Sequence, residues 1–119
     1  MQAEKLNIEY YRLTKEDGDV EEGSSEESCS ITSQRTCVGR YIRQHFGSGF
    51  VTAEIVDDGY SGTNMDRPGM QRLLRLVKAG QVQTIIVRDL SRFARNYLEA
   101  GHYLEFVFPM YDVRFISVN

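Results

Sequence analysis

One stretch constrains the fold of this chain more than any other: Thr84-Ile85-Ile86-Val87-Arg88-Asp89-Leu90-Ser91-Arg92-Phe93-Ala94-Arg95-Asn96. It opens as a short apolar, β-branched run, the pattern of a strand covered on both faces in a parallel sheet, and then turns abruptly to charge. The switch marks the carboxyl end of a strand, where open α/β sheets bind their ligands. Arg88, Arg92 and Arg95 therefore stand at a ligand-binding edge. With Ser91 or Asp89 as a helix cap, Arg92 and Arg95 fall three residues apart on one helical face near its positive N-terminus. Guanidiniums crowded there repel one another unless an anion sits among them. Spacing alone leaves two possibilities open, a solvated cationic rim and an anion site.

The rest of the chain alternates strand and helix around that edge. Leu6 to Leu13 has strand composition and ends in Arg12 and Thr14. The segment from Lys15 to Ser28 is acidic, rich in Gly and Ser and without apolar anchors, which predicts a solvated surface loop. Ile31, Val38, Tyr41, Ile42 and Phe46 recur at near-helical spacing, with Ser28 or Ser30 as cap and Gly47 as terminator. Phe50 to Val56 predicts a second strand, running into the polar, glycine-rich loop Asp57 to Asn64. Asp66 is the expected N-cap of the next helix, with Pro68 in its first turn, Met70, Leu73, Leu74 and Val77 as its buried stripe, and Gly80 as its end. Val82 to Val87 is the third strand. A helix over Asn96 to Val107 follows, with Tyr97, Tyr103, Leu104 and Val107 as core candidates and Pro109 as its stop; Val113 to Val118 is the last strand. This alternation predicts an α/β fold, three layers with a mostly parallel sheet of about four to five strands and helices on both faces. Ending on a strand leads us to expect at least one further helix in a longer protein.

Composition narrows the chemistry. The 119 residues form one domain, and no apolar run or leader pattern marks a membrane or export segment, so a soluble, intracellular protein is expected. Cys29 and Cys37 match no metal or redox spacing and are expected as free, reduced thiols, while His45 and His102 have no companion ligands nearby. The net charge of −3 conceals an uneven distribution: residues 16–27 hold seven acids and no Lys or Arg, and the remainder carries 14 basic against 10 acidic residues. Net charge therefore does not exclude a nucleic-acid partner.

Arg12 with Thr14 after the first strand, Arg67 at a helix start, Arg88 after the third strand, and Arg92 with Arg95 converge on one edge. Several arginines around a hydroxyl are equipment for attack on a phosphodiester, since guanidinium forks bind non-bridging oxygens bidentately and stabilise the added charge of the transition state. Asp57 and Asp58 raise a metal as an alternative, which the arginines weaken. No phosphate-binding loop of the Gly-x-x-x-x-Gly-Lys type is present.

Tyr10-Tyr11-Arg12-Leu13-Thr14, Ser30-Ile31-Thr32-Ser33-Gln34, Asp58-Gly59-Tyr60-Ser61-Gly62, Asp66-Arg67-Pro68-Gly69 and Asp89 to Asn96 together resemble the catalytic domain of serine site-specific recombinases, the resolvase/invertase family, and most closely its large, transposon-type members. The resemblance implies a resolvase-like fold and conservative DNA strand exchange, with no cofactor and no metal. In that chemistry a hydroxyl attacks the backbone to give a covalent 5′-phosphoseryl-type intermediate and a free 3′-OH, which a new partner's 3′-OH later reverses. It implies that Arg12, Arg67, Arg92 and Arg95 bind the scissile phosphate, with Gln34 and Tyr10 in support and Arg88 beside them. Where small resolvases have Asp before the first arginine of the last motif this chain has Ser91, with Asp89 two residues earlier as a substitute. A family lysine corresponds here to Lys78 or Arg75. Thr14 stands where the family has its serine, and its extra methyl stiffens χ1 and crowds an in-line approach, so lowered or absent activity is expected.

The resemblance further implies a prokaryotic, cytoplasmic protein, nucleoid-associated when on DNA. It acts on DNA backbone near a crossover site as a dimer that assembles into a tetramer, with no membrane. Residues 1–119 would then be the N-terminal catalytic domain, cut before its C-terminal helix and without its base-reading region. Two alternatives stay in view: a non-catalytic DNA-associated assembly module, and a flavodoxin-like domain for a small phosphorylated ligand.

Overall fold

Leu6–Leu13 forms β1, buried without interruption from Ile8 to Arg12. In the computed structural model, which describes residues 5–13, 31–58, 67–94 and 97–119, the elements that follow are α1 (Ile31–His45), β2 (Ala53–Asp58), α2 (Pro68–Lys78), β3 (Val82–Val87), a helix α3 and β4 (Arg114–Ser117). The helix α3 runs as Tyr97–His102, continues through a π-wound stretch Tyr103–Val107 and closes with Phe108–Met110. The four strands are all parallel, in the order β2-β1-β3-β4. Because the chain begins in the middle of the sheet, its connections diverge on either side of β1 and β3. A crevice at the carboxyl ends of those two strands is the geometric result.

Helices cover both faces, as the alternation predicts. Side chains alternate along β1, so Ile8, Tyr10 and Arg12 face one layer and Glu9 and Tyr11 the other. The first layer joins Ile8, Tyr10, Ile55 and Ile85 to Met70, Leu73 and Val77 of α2 and to Ala100 and Phe108 of α3. The second is smaller, Tyr11, Ile86 and Ile116 against Val38 and Ile42 of α1. Side chains as deeply buried as Leu73, Ile85 and Phe108 each contribute about 1.5–3 kcal/mol through removal from water. Gly47 and Gly80 end α1 and α2 at φ of +81° and +75°, the left-handed region that side chains avoid.

Four expectations are corrected. β2 starts at Ala53 rather than Phe50, because Phe50 stacks on Phe46 at 4.2 Å and closes the turn instead of entering the ladder. The N-cap position of α2 is Arg67, one residue past the expected Asp66, which lies outside the described residues. Pro109 does not stop α3; the π-wound turn before it has already broken the α-register, so the missing N–H and the proline ring fall where no regular bond is lost. Tyr97 is 87% exposed rather than core, and Ala100 and Phe108 take the buried positions beside partly covered Tyr103, Leu104 and Val107. Cys37 is a free thiol, and Cys29 and the acidic stretch 16–27 lie outside the described residues. Among the described residues no helix is long and apolar enough to cross a membrane.

Candidate active site at the carboxyl edge of the sheet

The site begins with a strand pair. Register sets Arg12 of β1 beside Asp57 of β2, and the alternation of β1 puts Tyr10 on the same face as Arg12. The Tyr10 hydroxyl donates to Asp57 Oδ2 at 2.6 Å and accepts from Arg67 Nε at 3.1 Å, while Arg67 Nε also lies 3.8 Å from Asp57 Oδ2. Asp57 then accepts the first amides of α2, Gly69 N–H at 2.7 Å and Met70 N–H at 2.9 Å. A carboxylate from a neighbouring strand thus performs the capping that Arg67, extended and without a side-chain cap bond, does not. A Cβ added to Gly69 would come within 2.8 Å of both Asp57 oxygens and of Ile55 Cγ2, so only glycine admits this approach.

A second layer of contacts ties β1 to the turn after β3. Gln34 of α1 clamps the Arg12 backbone from both sides, accepting from its N–H at 3.3 Å and donating to its carbonyl at 2.9 Å. The Arg12 guanidinium donates to the carbonyls of Ser91 and, at 3.2 Å, Arg92. Arg92 reaches back to the Arg12 carbonyl at 3.4 Å, and Arg67 donates to the Phe93 carbonyl at 2.9 Å. Arg12, Arg67 and Arg92 are 1%, 1% and 4% exposed, and Asp57, beside Arg67, is equally buried. Three buried guanidiniums brought together at the carboxyl edge present the donors and the charge that suit an anion.

At the more open rim, Asp89 accepts from Ser91 Oγ at 2.5 Å and from Arg88 at 3.1 Å, and lies 3.9 Å from Arg92 Nε. Burial first, and then the hydrogen bond from Tyr10 to Asp57, push the Tyr10 phenol well above its ordinary range against the opposing charge of Arg67. Tyr10 therefore stays protonated and serves as a donor, not a base.

The structure brings together Tyr10, Arg12, Gln34, Arg67, Arg88, Asp89, Ser91 and Arg92. Arg92 sits in a single 3₁₀ turn, Leu90–Arg92, with extended Asp89 before it, rather than in the expected helix, because α3 begins at Tyr97. Thr14 and Arg95 lie outside the described residues. Arg75 and Lys78 occupy the last turn of α2, roughly 12 and 16 Å of helical rise from Arg67. Sequence reasoning missed Asp57 as an organiser. A signal was available in Gly69, since glycine in a helix costs about 1 kcal/mol relative to alanine and marks a close approach.

The family described as Resolvase, N terminal domain matches residues 7–119. Among solved structures, the chain is similar to the N-terminal catalytic domain of TP901-1 integrase at 26% identity and a TM-score of 0.75, with 97% of this chain and 78% of that one covered. It is also similar to a serine recombinase from Sulfolobus solfataricus, at 24% identity and a TM-score of 0.66 over 98% of this chain and 69% of that one. The C-terminal catalytic domain of ISC1926 TnpA, an IS607-like serine recombinase, shares the fold at 23% identity and a TM-score of 0.67, over 96% and 67% of the two chains. A search of curated protein sequences found no match.

Proposed function

Given that the chain belongs to the resolvase family of site-specific recombinases, we propose that its carboxyl-edge crevice holds the scissile phosphate of DNA and that Thr14 occupies the nucleophile position. The observation that carries this is the convergence of buried guanidiniums at the switch point of the sheet: Arg12, Arg67 and Arg92 are all at most 4% exposed, and Asp57 lies beside Arg67. Arg12, Arg67, Arg92 and Arg95 bind and polarise the phosphate. Hydroxyl attack forms the bond from oxygen to phosphorus as the bond to the 3′ oxygen breaks, leaving a protein–phosphate ester at the DNA 5′ end and a 3′-OH. The Ser91–Asp89 pair at the rim takes up the proton that the attacking hydroxyl loses and returns one to the departing 3′ oxygen. Fixed guanidiniums stabilise the developing charge without reorganisation, so the strand transfer runs without a metal.

Tyr10 and Asp57 act through Arg67. Asp57 fixes its helix start and Tyr10 its Nε, which holds the fork in one orientation before DNA arrives. The β-methyl of Thr14 narrows the approach to phosphorus, and slower attack than from serine is the consequence. Two subunits dimerise and two dimers join as a tetramer in which the cut ends exchange. DNA sequence is read by a region outside residues 1–119, and the domain by itself engages mainly backbone.

The test uses the full-length protein on supercoiled DNA with paired cognate sites, trapping covalent adducts with Thr14, Thr14→Ser and Thr14→Ala. Adducts from Thr14→Ser at least about tenfold faster than from Thr14, and none from Thr14→Ala, are expected. Adducts from the alanine variant would move the nucleophile elsewhere, and none from any version would favour a DNA-associated assembly module.

A further inference from the structure

A surface cavity of about 320 Å3 is lined by Thr32, Ser33, Thr36, Cys37 and Arg40 of α1 and by Arg88, which follows β3. Every one of these side chains can donate a hydrogen bond, two are permanently cationic and none is a carboxylate. Among the described residues, Asp89 pairs with Arg88 of the wall at 3.1 Å. Thr32, Thr36 and Arg40 repeat at four-residue intervals along α1, whose first turn contains no acidic residue, so the hydroxyls and guanidinium form one continuous helical face. Two connections link the cavity to the crevice: Ser33 precedes the Gln34 that clamps Arg12, and Arg88 leads through Asp89 to Arg92.

We propose that this cavity is a second phosphate subsite, which takes a DNA backbone phosphate neighbouring the one held by Arg12, Arg67 and Arg92. It rests on the assignment of the crevice to the scissile phosphate. A single phosphate pulled into the crevice can rotate about its own ester bonds, whereas two phosphates gripped together fix the direction of the strand. Arg40 is a binding residue here, with no part in bond making, and Cys37 lies in the wall as a native reporter of occupancy.

The experiment uses the full-length protein with Cys29→Ser, so that within residues 1–119 Cys37 is the one remaining thiol. Iodoacetamide alkylation of Cys37, followed by peptide mass spectrometry, is expected to slow about fivefold or more when cognate duplex DNA saturates the protein at low salt. Protection fades as salt displaces phosphate contacts. Inorganic phosphate at the same phosphate concentration is expected to protect little; equal protection would make the cavity a free-anion site and overturn the proposal. Arg40→Gln is expected to lower the salt slope of DNA binding by about one and Arg40→Lys to restore it. Unaltered alkylation on saturated DNA, or an unaltered slope in Arg40→Gln, overturns the subsite. Protection and slope change with no adducts from any nucleophile variant support the subsite and count against the strand-transfer assignment instead.

Discussion

Tyr10 and Tyr11 are neighbours in β1, both fully buried, yet the alternation of the strand sends them into different chemistry. Tyr10 enters the larger layer and joins Asp57 and Arg67, where every group is at most 1% exposed. Tyr11 enters the α1 layer and donates to Glu9, which also accepts from Thr52. Nearby Arg35 lies over the Tyr11 ring at 5.6 Å and pairs with Glu54 at 3.0 Å, with those two side chains 45% and 39% exposed. The difference shows how a protein separates a site from its scaffold. The Tyr10 network has no water to replace a lost partner and holds its charges rigidly, whereas the outer part of the Tyr11 network is solvated and tolerant.

Removing the carboxylate from the inner network is the most severe way to break this comparison. Asp57→Ala leaves buried Arg67 without its ion-pair partner and α2 without its cap, and about 3–5 kcal/mol of stability is expected to be lost in urea denaturation. Such a loss approaches the whole stability of a small domain. Gly69→Ala should cost about 1–3 kcal/mol by pressing a methyl against Asp57 and Ile55. In a double-mutant cycle with Asp57→Ala part of that cost is expected to vanish, because both carboxylate oxygens will have gone while Ile55 Cγ2 stays.

The tyrosine hydroxyls sharpen the contrast. Tyr10→Phe is expected to cost about 1–3 kcal/mol by removing the hydroxyl that bridges Asp57 and Arg67 Nε where every group is buried, and Tyr11→Phe about 1 kcal/mol because Glu9 keeps Thr52. Adduct formation should fall in Tyr10→Phe and persist in Tyr11→Phe.

Burial holds both phenols protonated far above their ordinary pKa, reinforced at Tyr11 by its bond to Glu9. Their contribution is fully present below pH 10, the unfolded value, and declines above it, as the unfolded chain releases protons that the folded chain retains. Stability should therefore fall with rising pH by about 1.4 kcal/mol per unit for each tyrosine, and each Phe variant should remove one such increment from the slope. The smallest effect is expected at the exposed pair: Arg35→Ala should change stability by less than about 1 kcal/mol, a difference that salt diminishes.

The elements were legible because their signals are local. β1 and β3 are found where expected, since runs of apolar and β-branched residues bounded by charge have few other ways to be buried. Gly47 and Gly80 marked helix ends through backbone freedom alone. Pro109 misled because its local rule was overridden by a π-wound turn, which depends on how Phe108 and Tyr103 pack against Phe93. Tyr97 misled because helical spacing names a face without saying which neighbour covers it.

By itself, the sequence determined the order of strands and helices and set Arg12, Arg67, Arg88 and Arg92 at the ends of those elements, since motif and composition are properties of the chain. Only the tertiary structure decided that Asp57 caps α2 from another strand, that Gly69 exists to admit it, and that the arginines grip one another's backbone carbonyls. Those contacts join residues 12 to 80 positions apart, and their strength comes from shared burial, which no local spacing encodes.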